Sequence, residues 1–194
     1  MDEENLIKKI STGDEIALKD LFGSYSTKIY NTALGYTQNI EDAEEILQDV
    51  FLIIFKKASK FKFNSSVSTW IYRITINKSL DFLRQKNSIK RKGIIISIFR
   101  KDSNELIHEP VDFVHPGVKL ENAENAKLLF KVVETLQENQ KTVFILTQVE
   151  GLPQQEVADI MNTTRKSVES LLQRAKVNLR KSLEKYYPGR GNSI

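Results

Sequence analysis

The stretch Gln154–Lys185, QQEVADIMNTTRKSVESLLQRAKVNLRKSLEK, decides the fold. It reads as two helices separated by a short polar turn. Val157, Met161, Val168 and Leu171 supply apolar contacts between them, and Ala158 is the small residue that a close helix crossing requires. Asn162 tolerates the left-handed conformation of such a turn, and Thr163 or Thr164 can cap the second helix. The pattern predicts a helix-turn-helix. Its second helix presents Arg165, Lys166, Ser167, Glu169, Ser170, Gln173 and Arg174, residue types that bond phosphates or base edges in a major groove. The competing reading is an ordinary helical hairpin with solvated basic residues. Against it, the seven bases Arg165, Lys166, Arg174, Lys176, Arg180, Lys181 and Lys185 outnumber Glu169 and Glu184, an excess of five positive charges over residues 165–185.

Upstream of this stretch the same helical periodicity recurs. Residues 14–34 carry Ile16, Leu18, Leu21, Phe22, Tyr25, Ile29 and Ala33 as a stripe, with Asp14 as N-cap and Gly35 as the expected stop. Residues 41–60 place Ala43, Ile46, Leu47, Val50, Phe51, Ile54 and Ala58 on one face and Glu41, Glu45, Gln48 and Asp49 outward. After a polar turn, a third helix is expected from about Ser68 to Lys86, with Ile76, Leu80 and Leu83 inward and Arg73, Asn77, Asp81 and Arg84 along a polar face. From Asn87 to about Glu121 the periodicity stops, and Gly93, Pro110, Pro116 and Gly117 punctuate what reads as a linker. Inside it, Ile94–Phe99 is rich in β-branched residues and suggests an extended segment that docks onto another surface, which the residues do not identify. Two further amphipathic helices, 126–138 and 140–149, lead to the helix-turn-helix.

Composition narrows the function classes. The 194 residues hold 29 Lys and Arg against 25 Asp and Glu, a net charge of +4, with no Cys and only two His. Without Cys there is no disulfide scaffold, thiolate nucleophile or iron–sulfur ligation, and His108 and His115 stand in no ligand cluster, so no metal and no cofactor are expected. No convergent acid/base pair, nucleophile or phosphate loop is present, and Gly189-Arg190-Gly191 is a tail, so an enzyme is not expected. The longest apolar run, Val50–Phe55, is far shorter than a membrane span, and the acidic start has no apolar core behind it, so a cytoplasmic protein without membrane insertion is expected. The small total also conceals a division: residues 1–88 are neutral, 89–122 carry +1, 123–187 carry +2 and the tail 188–194 carries +1.

Two stretches of the first module resist a purely structural explanation. Carboxylates in a first helical turn are stabilised by the macrodipole, which accounts for Glu41, Asp42 and Glu44 but not for Glu45 and Asp49 further in. Those suit a basic protein partner better than DNA. Trp70 has a core aromatic as its ordinary reading, yet Phe61, Phe63 and Tyr72 are near it and Lys56, Lys57, Lys60 and Lys62 precede it. Aromatic faces beside cations are what single-stranded DNA binding uses.

Together these strings resemble bacterial sigma factors of the sigma-70 family, in the compact extracytoplasmic-function group. The resemblance is carried by Asp42–Phe51 (DAEEILQDVF), by Ser68–Ile74 (STWIYRI) with Asn77, Asp81 and Arg84, and by Glu150 through Lys176, in family order over most of residues 14–185. It implies an all-α fold of two small helical domains, a region 2-like bundle (1–88) and a region 4-like helix-turn-helix (123–187), joined by a flexible linker (89–122). It also implies roles. Asp42, Glu45, Gln48, Asp49 and Phe51 would dock on core RNA polymerase. Lys60, Phe61, Lys62, Asn64, Ser65, Trp70, Arg73, Asn77 and Arg84 would engage the melted non-template strand at the minus-ten element, the 61–68 turn trapping an extruded base. Thr164, Arg165, Lys166, Ser167, Glu169, Ser170, Gln173, Arg174 and Lys176 would read the minus-thirty-five element as duplex. The apolar faces around Phe130, Val133, Phe144 and Leu146 would serve mainly as core and secondarily as a polymerase contact.

The group commonly has an anti-sigma partner, and Ile94–Phe99 is a place to look for its contact. Glu169 and Leu171 depart from the basic residues many relatives carry there, and a Glu would accept from cytosine and be repelled by phosphate, shifting promoter preference. Gln137 stands where a Pro is usual. The alternative reading is a conventional duplex-binding regulator whose first module dimerises or senses a ligand, but such a protein has no need of the 56–84 segment.

Overall fold

The computed structural model describes residues 2–99 and 123–186, with side chains for 2–89 and 128–186. Eight α-helices form among these residues, and no strand. Most of the proposed linker (100–122), both histidines and the tail lie outside the described residues.

Helix α1 (Glu3–Ser11) was not foreseen. Asp2 caps it, accepting from the Glu4 and Asn5 backbone N–H groups, and Leu6, Ile7 and Ile10 are buried beneath it. Tyr25 donates to Glu3 at 2.7 Å and ties α1 to α2. Helix α2 (Glu15–Thr37) starts at Asp14 as expected, whose carboxylate accepts from Ile16 and Ala17 at 2.9 and 3.0 Å. It does not stop at Gly35. The helix runs two residues further and ends on Gln38 in the left-handed region, φ 52°. Gly35 serves packing instead: a Cβ there would meet the Ile145 side chain of the second module at 3.2 Å. Two residues of the expected apolar stripe, Ile16 and Phe22, are 75% and 46% exposed.

Helix α3 (Ile40–Lys57) is capped by Asn39 and followed by a single 3₁₀ turn, Ala58–Lys60. Ala43, Ile46, Val50, Phe51 and Ile54 are buried against α2 and α4. Ser66 opens α4 (Val67–Phe99), its hydroxyl accepting from the Thr69 N–H at 3.0 Å. Thr75 and Ser79 are fully buried on α4 and return their hydroxyl protons to the carbonyls of Ile71 and Thr75, so these small polar residues allow close packing without an unmet donor. The helix passes Lys86 and runs through Ile94–Phe99, which corrects the expected extended segment. The physical reason is cooperativity: once a long helix is nucleated, adding residues costs far less than starting it, and this outweighs the strand preference of isoleucines.

In the second module, α5 (Ala123–Val133) and α6 (Glu138–Phe144) form a hairpin, and α6 continues as a π turn, Ile145–Val149. Gly151 at φ 70° breaks the chain direction before α7 (Gln154–Ile160) and α8 (Arg165–Glu184). The helix-turn-helix forms as expected. Ala158 is fully buried at the crossing, Asn162 adopts φ 51°, and Thr164 caps α8 by accepting from the Ser167 N–H at 3.2 Å. A β-branched side chain is strained at that φ, so Asn162→Val is expected to cost about 1–2 kcal/mol while Asn162→Gly is close to neutral. Thermal melts of the two variants check this, and equal midpoints for Val and wild type would contradict it.

Both modules share one apolar core. Tyr36 at the end of α2 is 1% exposed, and its hydroxyl lies 2.6 Å from that of Thr142 on α6. Gln38 donates to the Phe130 carbonyl at 2.8 Å, and Phe130, Ile145 and Leu146 are buried completely.

Candidate nucleic-acid interface

Three groups of side chains were singled out by sequence, and the structure places each. The loop between the 3₁₀ turn and α4 carries an aromatic cluster. Trp70 is half-buried and stacks on Phe61, ring centroids 4.5 Å apart at 20°, and Phe61 meets Phe63 at 4.8 Å. Phe63 has φ 55°, a left-handed backbone that costs a bulky residue roughly 1–3 kcal/mol. The Lys8 ammonium lies over its ring, 5.2 Å from the centroid. Lys60, Lys62 and Asn64 are exposed around the cluster and Ser65 is half-buried. The arrangement is a partly open aromatic surface rimmed by cations, matching the chemistry that stacks unpaired bases.

Arg73, Asn77 and Arg84 follow on one face of α4, and that face looks at the second module. Arg73 donates from Nε to the Ile160 carbonyl at 3.0 Å and from Nη2 to the Asp159 carbonyl at 2.6 Å. These carbonyls end α7, where a cation meets the negative end of the helix dipole. Arg84 donates from Nη2 to both Glu138 oxygens at 3.0 Å and from Nη1 to Asp81 at 3.1 Å. Asn77 is exposed and lines a cleft of about 500 Å³ between the modules, with Arg73, Glu138, Asn139, Met161 and Asn162. The turn of the helix-turn-helix therefore stands against the face of α4 that was expected to contact the melted strand.

The set expected to read duplex lies on α8 and its N-cap. Thr164, Arg165, Lys166, Glu169, Ser170, Gln173, Arg174 and Lys176 are exposed and Ser167 half-buried, while Val168, Leu172, Ala175 and Leu179 are buried. The first three turns of the helix thus offer a basic, hydrogen-bonding face to solvent. Phe130, Val133, Phe144 and Leu146 are buried.

The acidic set on α3 divides in two. Glu45 and Gln48 are exposed. Asp49, expected on the exposed face, pairs with Lys78 of α4 at 2.6 Å with its side chain 33% exposed, and Asp42 pairs with Lys86 of α4. Phe51 is buried with 8% exposure and meets the more exposed Phe22 ring at 4.8 Å. Sequence reasoning missed Lys8, Glu138 and the Asp159 and Ile160 carbonyls. No local pattern marks them, because each acquires its role through a contact far along the chain.

The model described as Sigma-70 region 2 matches residues 21–89, and the one described as Sigma-70, region 4 matches residues 127–179. The chain is 27% identical over 181 residues to the ECF RNA polymerase sigma factor SigW of Bacillus subtilis, covering 91% of this chain and 94% of that protein. It is 24% identical to the RNA polymerase sigma-H factor of Pseudomonas aeruginosa over 94% of each. Among solved structures, CnrH in complex with the cytosolic domain of CnrY is similar with a TM-score of 0.66 at 17% identity, over 94% of this chain and 97% of that one. The sigma factor RpoE of Bartonella quintana, solved with the anti-sigma factor NepR, gives 0.58 at 17% identity over 86% and 96%.

Proposed function

The chain belongs to the sigma-70 family, in its extracytoplasmic-function group, and from that premise we propose how its surfaces divide the work of promoter-specific transcription initiation. The protein binds core RNA polymerase, recognises promoters, helps to melt them and directs initiation. Region 4, with α8 at its front, reads the minus-thirty-five element as duplex through Arg165, Lys166, Ser167, Glu169, Ser170, Gln173, Arg174 and Lys176, with Thr164 holding the helix start. Region 2 takes the minus-ten element: the loop from Lys60 through Lys62, Asn64 and Ser65 and the Phe61–Trp70 stack receive an unstacked base. Arg73, Asn77 and Arg84 then follow the strand along α4. Extruding a base costs a few kcal/mol, which stacking at about 1–3 kcal/mol per base and the polymerase's own contacts offset. The observation that carries this reading is the joint presence, in one chain, of an exposed basic recognition helix and a cation-rimmed aromatic loop. A conventional regulator uses only the first. The similar sigma factor RpoE was solved in complex with the anti-sigma factor NepR, and an anti-sigma protein is accordingly a partner of this chain.

Core docking rests on α3. Glu45 and Gln48 are the exposed contacts, whereas Asp42 and Asp49 act partly as internal partners of Lys86 and Lys78. Two variants separate these parts. Glu45→Lys is expected to weaken core binding about tenfold with no change in melting temperature, because exposed substitutions seldom move stability by more than about 0.5 kcal/mol. Asp49→Lys places two ammonium groups together and is expected to lower stability by roughly 1 kcal/mol as well. Core titration beside thermal melts reads both effects, and unchanged core affinity in Glu45→Lys would remove α3 from the docking surface.

The test of the function is reconstitution. Core polymerase plus this chain on a fragment carrying its promoter initiates transcripts at a defined start; tight duplex binding without polymerase association would overturn the assignment.

A further inference from the structure

The contact between the modules contains a carboxyl group that nothing in the DNA-binding reading uses. Glu150 ends the π turn after α6 and lies against α4. Its Oε2 accepts from the Tyr72 hydroxyl of α4 at 3.5 Å, and its Oε1 is buried and, among the described residues, meets no donor. The charged and titratable groups around it come from several elements. Lys28 of α2 attracts the carboxylate, and Tyr72 hydrogen-bonds it. Glu156 of α7 repels negative charge at Tyr72 and accepts from Ser68 of α4 at 3.2 Å. Tyr25 of α2, bonded to Glu3 of α1, also disfavours negative charge at Tyr72. A carboxylate with one long hydrogen bond and one orphaned oxygen costs more in this position than the neutral acid does.

We propose that Glu150 is a proton-operated latch between the two modules: protonated, it lets region 4 seat on α2 and α4 and cover Arg73, and ionised, it favours their separation. That covering Arg73 hides a DNA contact rests on the function proposed above; the latch itself does not. Burial pushes the Glu150 carboxyl from 4.5 up to about 7, against the opposing pulls of Tyr72 and Lys28. In the separated state the group returns to an ordinary carboxylate value. The closed form therefore binds more protons between these limits, so closure strengthens as pH falls through 7 and carries its full ionisation penalty above it. Between pH 8 and pH 6 the ratio of closed to open forms is expected to rise about tenfold.

The absence of Cys makes the test simple. Lys19→Cys and Lys181→Cys, both at exposed positions on different modules, accept a donor and an acceptor dye, and energy transfer is followed from pH 8 to pH 6. The parent pair is expected to close about tenfold over this range, and addition of Glu150→Gln to hold it closed with no pH dependence. A parent pair that does not respond, or a Glu150→Gln form that keeps the parent's response, overturns the latch. Tyr72→Phe guards against a misfolded Gln variant: loss of the hydroxyl that favours the carboxylate raises the closing midpoint, and an unmoved midpoint also overturns it. Neither polymerase nor promoter takes part, so this result stands apart from the test of the function.

Discussion

Changing Arg165, Lys166, Arg174 and Lys176 together to alanine is expected to reduce the slope of log affinity against log salt for duplex binding by about 3.6. Each cation that neutralises a phosphate releases counterions worth about 0.9 of that slope. At 0.1 M salt the same loss corresponds to roughly a thousandfold weaker binding or more. All four side chains are exposed on α8, and the buried face of that helix, Val168, Leu172, Ala175 and Leu179, is untouched. The fold should therefore survive, with melting unchanged within about 0.5 kcal/mol. Fluorescence anisotropy with a minus-thirty-five duplex between 50 and 200 mM salt is the measurement. An unchanged slope would mean that this face of α8 does not meet the phosphate backbone. Glu169 belongs to the same face and repels phosphate, so Glu169→Gln should shift affinity in the opposite direction while altering which base is preferred beneath it.

The second large effect concerns the junction of the modules. Tyr36→Ala is expected to destabilise the chain by about 3–5 kcal/mol, the usual cost of removing a large buried aromatic side chain. The side chain is 1% exposed among residues of both modules. Its hydroxyl also has a defined partner. Thr142 gives its own proton to the Glu138 carbonyl at 2.9 Å, so Tyr36 is the donor in the 2.6 Å contact between the two hydroxyls. Burial pushes the Tyr36 hydroxyl well above the ordinary tyrosine range, which keeps it protonated as a donor at any physiological pH. Tyr36→Phe should cost only about 1 kcal/mol, the net worth of one hydrogen bond. Denaturant unfolding of both variants separates packing from hydrogen bonding. A cost below about 1 kcal/mol for the alanine variant would show that Tyr36 is not enclosed by region 4 in solution.

The helix-turn-helix was legible residue by residue, because its constraints are local. A small residue at 158, a left-handed position at 162 and a cap at 164 lie within seven positions of one another, and each took its expected place. The first module was legible in its buried stripes and less so at its ends. Gly35 looked like a helix stop because glycine usually is one, whereas its use is a close approach to Ile145, more than a hundred residues further on. Ile94–Phe99 looked extended because propensity describes a segment in isolation, and the helix preceding it supplied the nucleus.

For the candidate site, residue types and order were visible, and pairing was not. Asp42 and Asp49 fall on the outer side of a helical wheel, yet α4 brings Lys86 and Lys78 to them. Arg73 was expected to contact the melted strand and instead bonds the carbonyls that end α7. Sequence periodicity reports which face of a helix is apolar; it carries no information about which polar face another element will cover. Two of the residues proposed to contact the melted strand, Arg73 and Arg84, are engaged by the second module, so on the proposed reading promoter opening requires the modules to part and not only a partner to bind.

The most direct measurement of the account is strand opening at the minus-ten element, read by a fluorescent base analogue on the non-template strand of the promoter. With core polymerase and this chain together the signal should rise, and with either alone it should stay flat. A rise without core polymerase, or none with it despite tight binding of the duplex, would contradict the assignment.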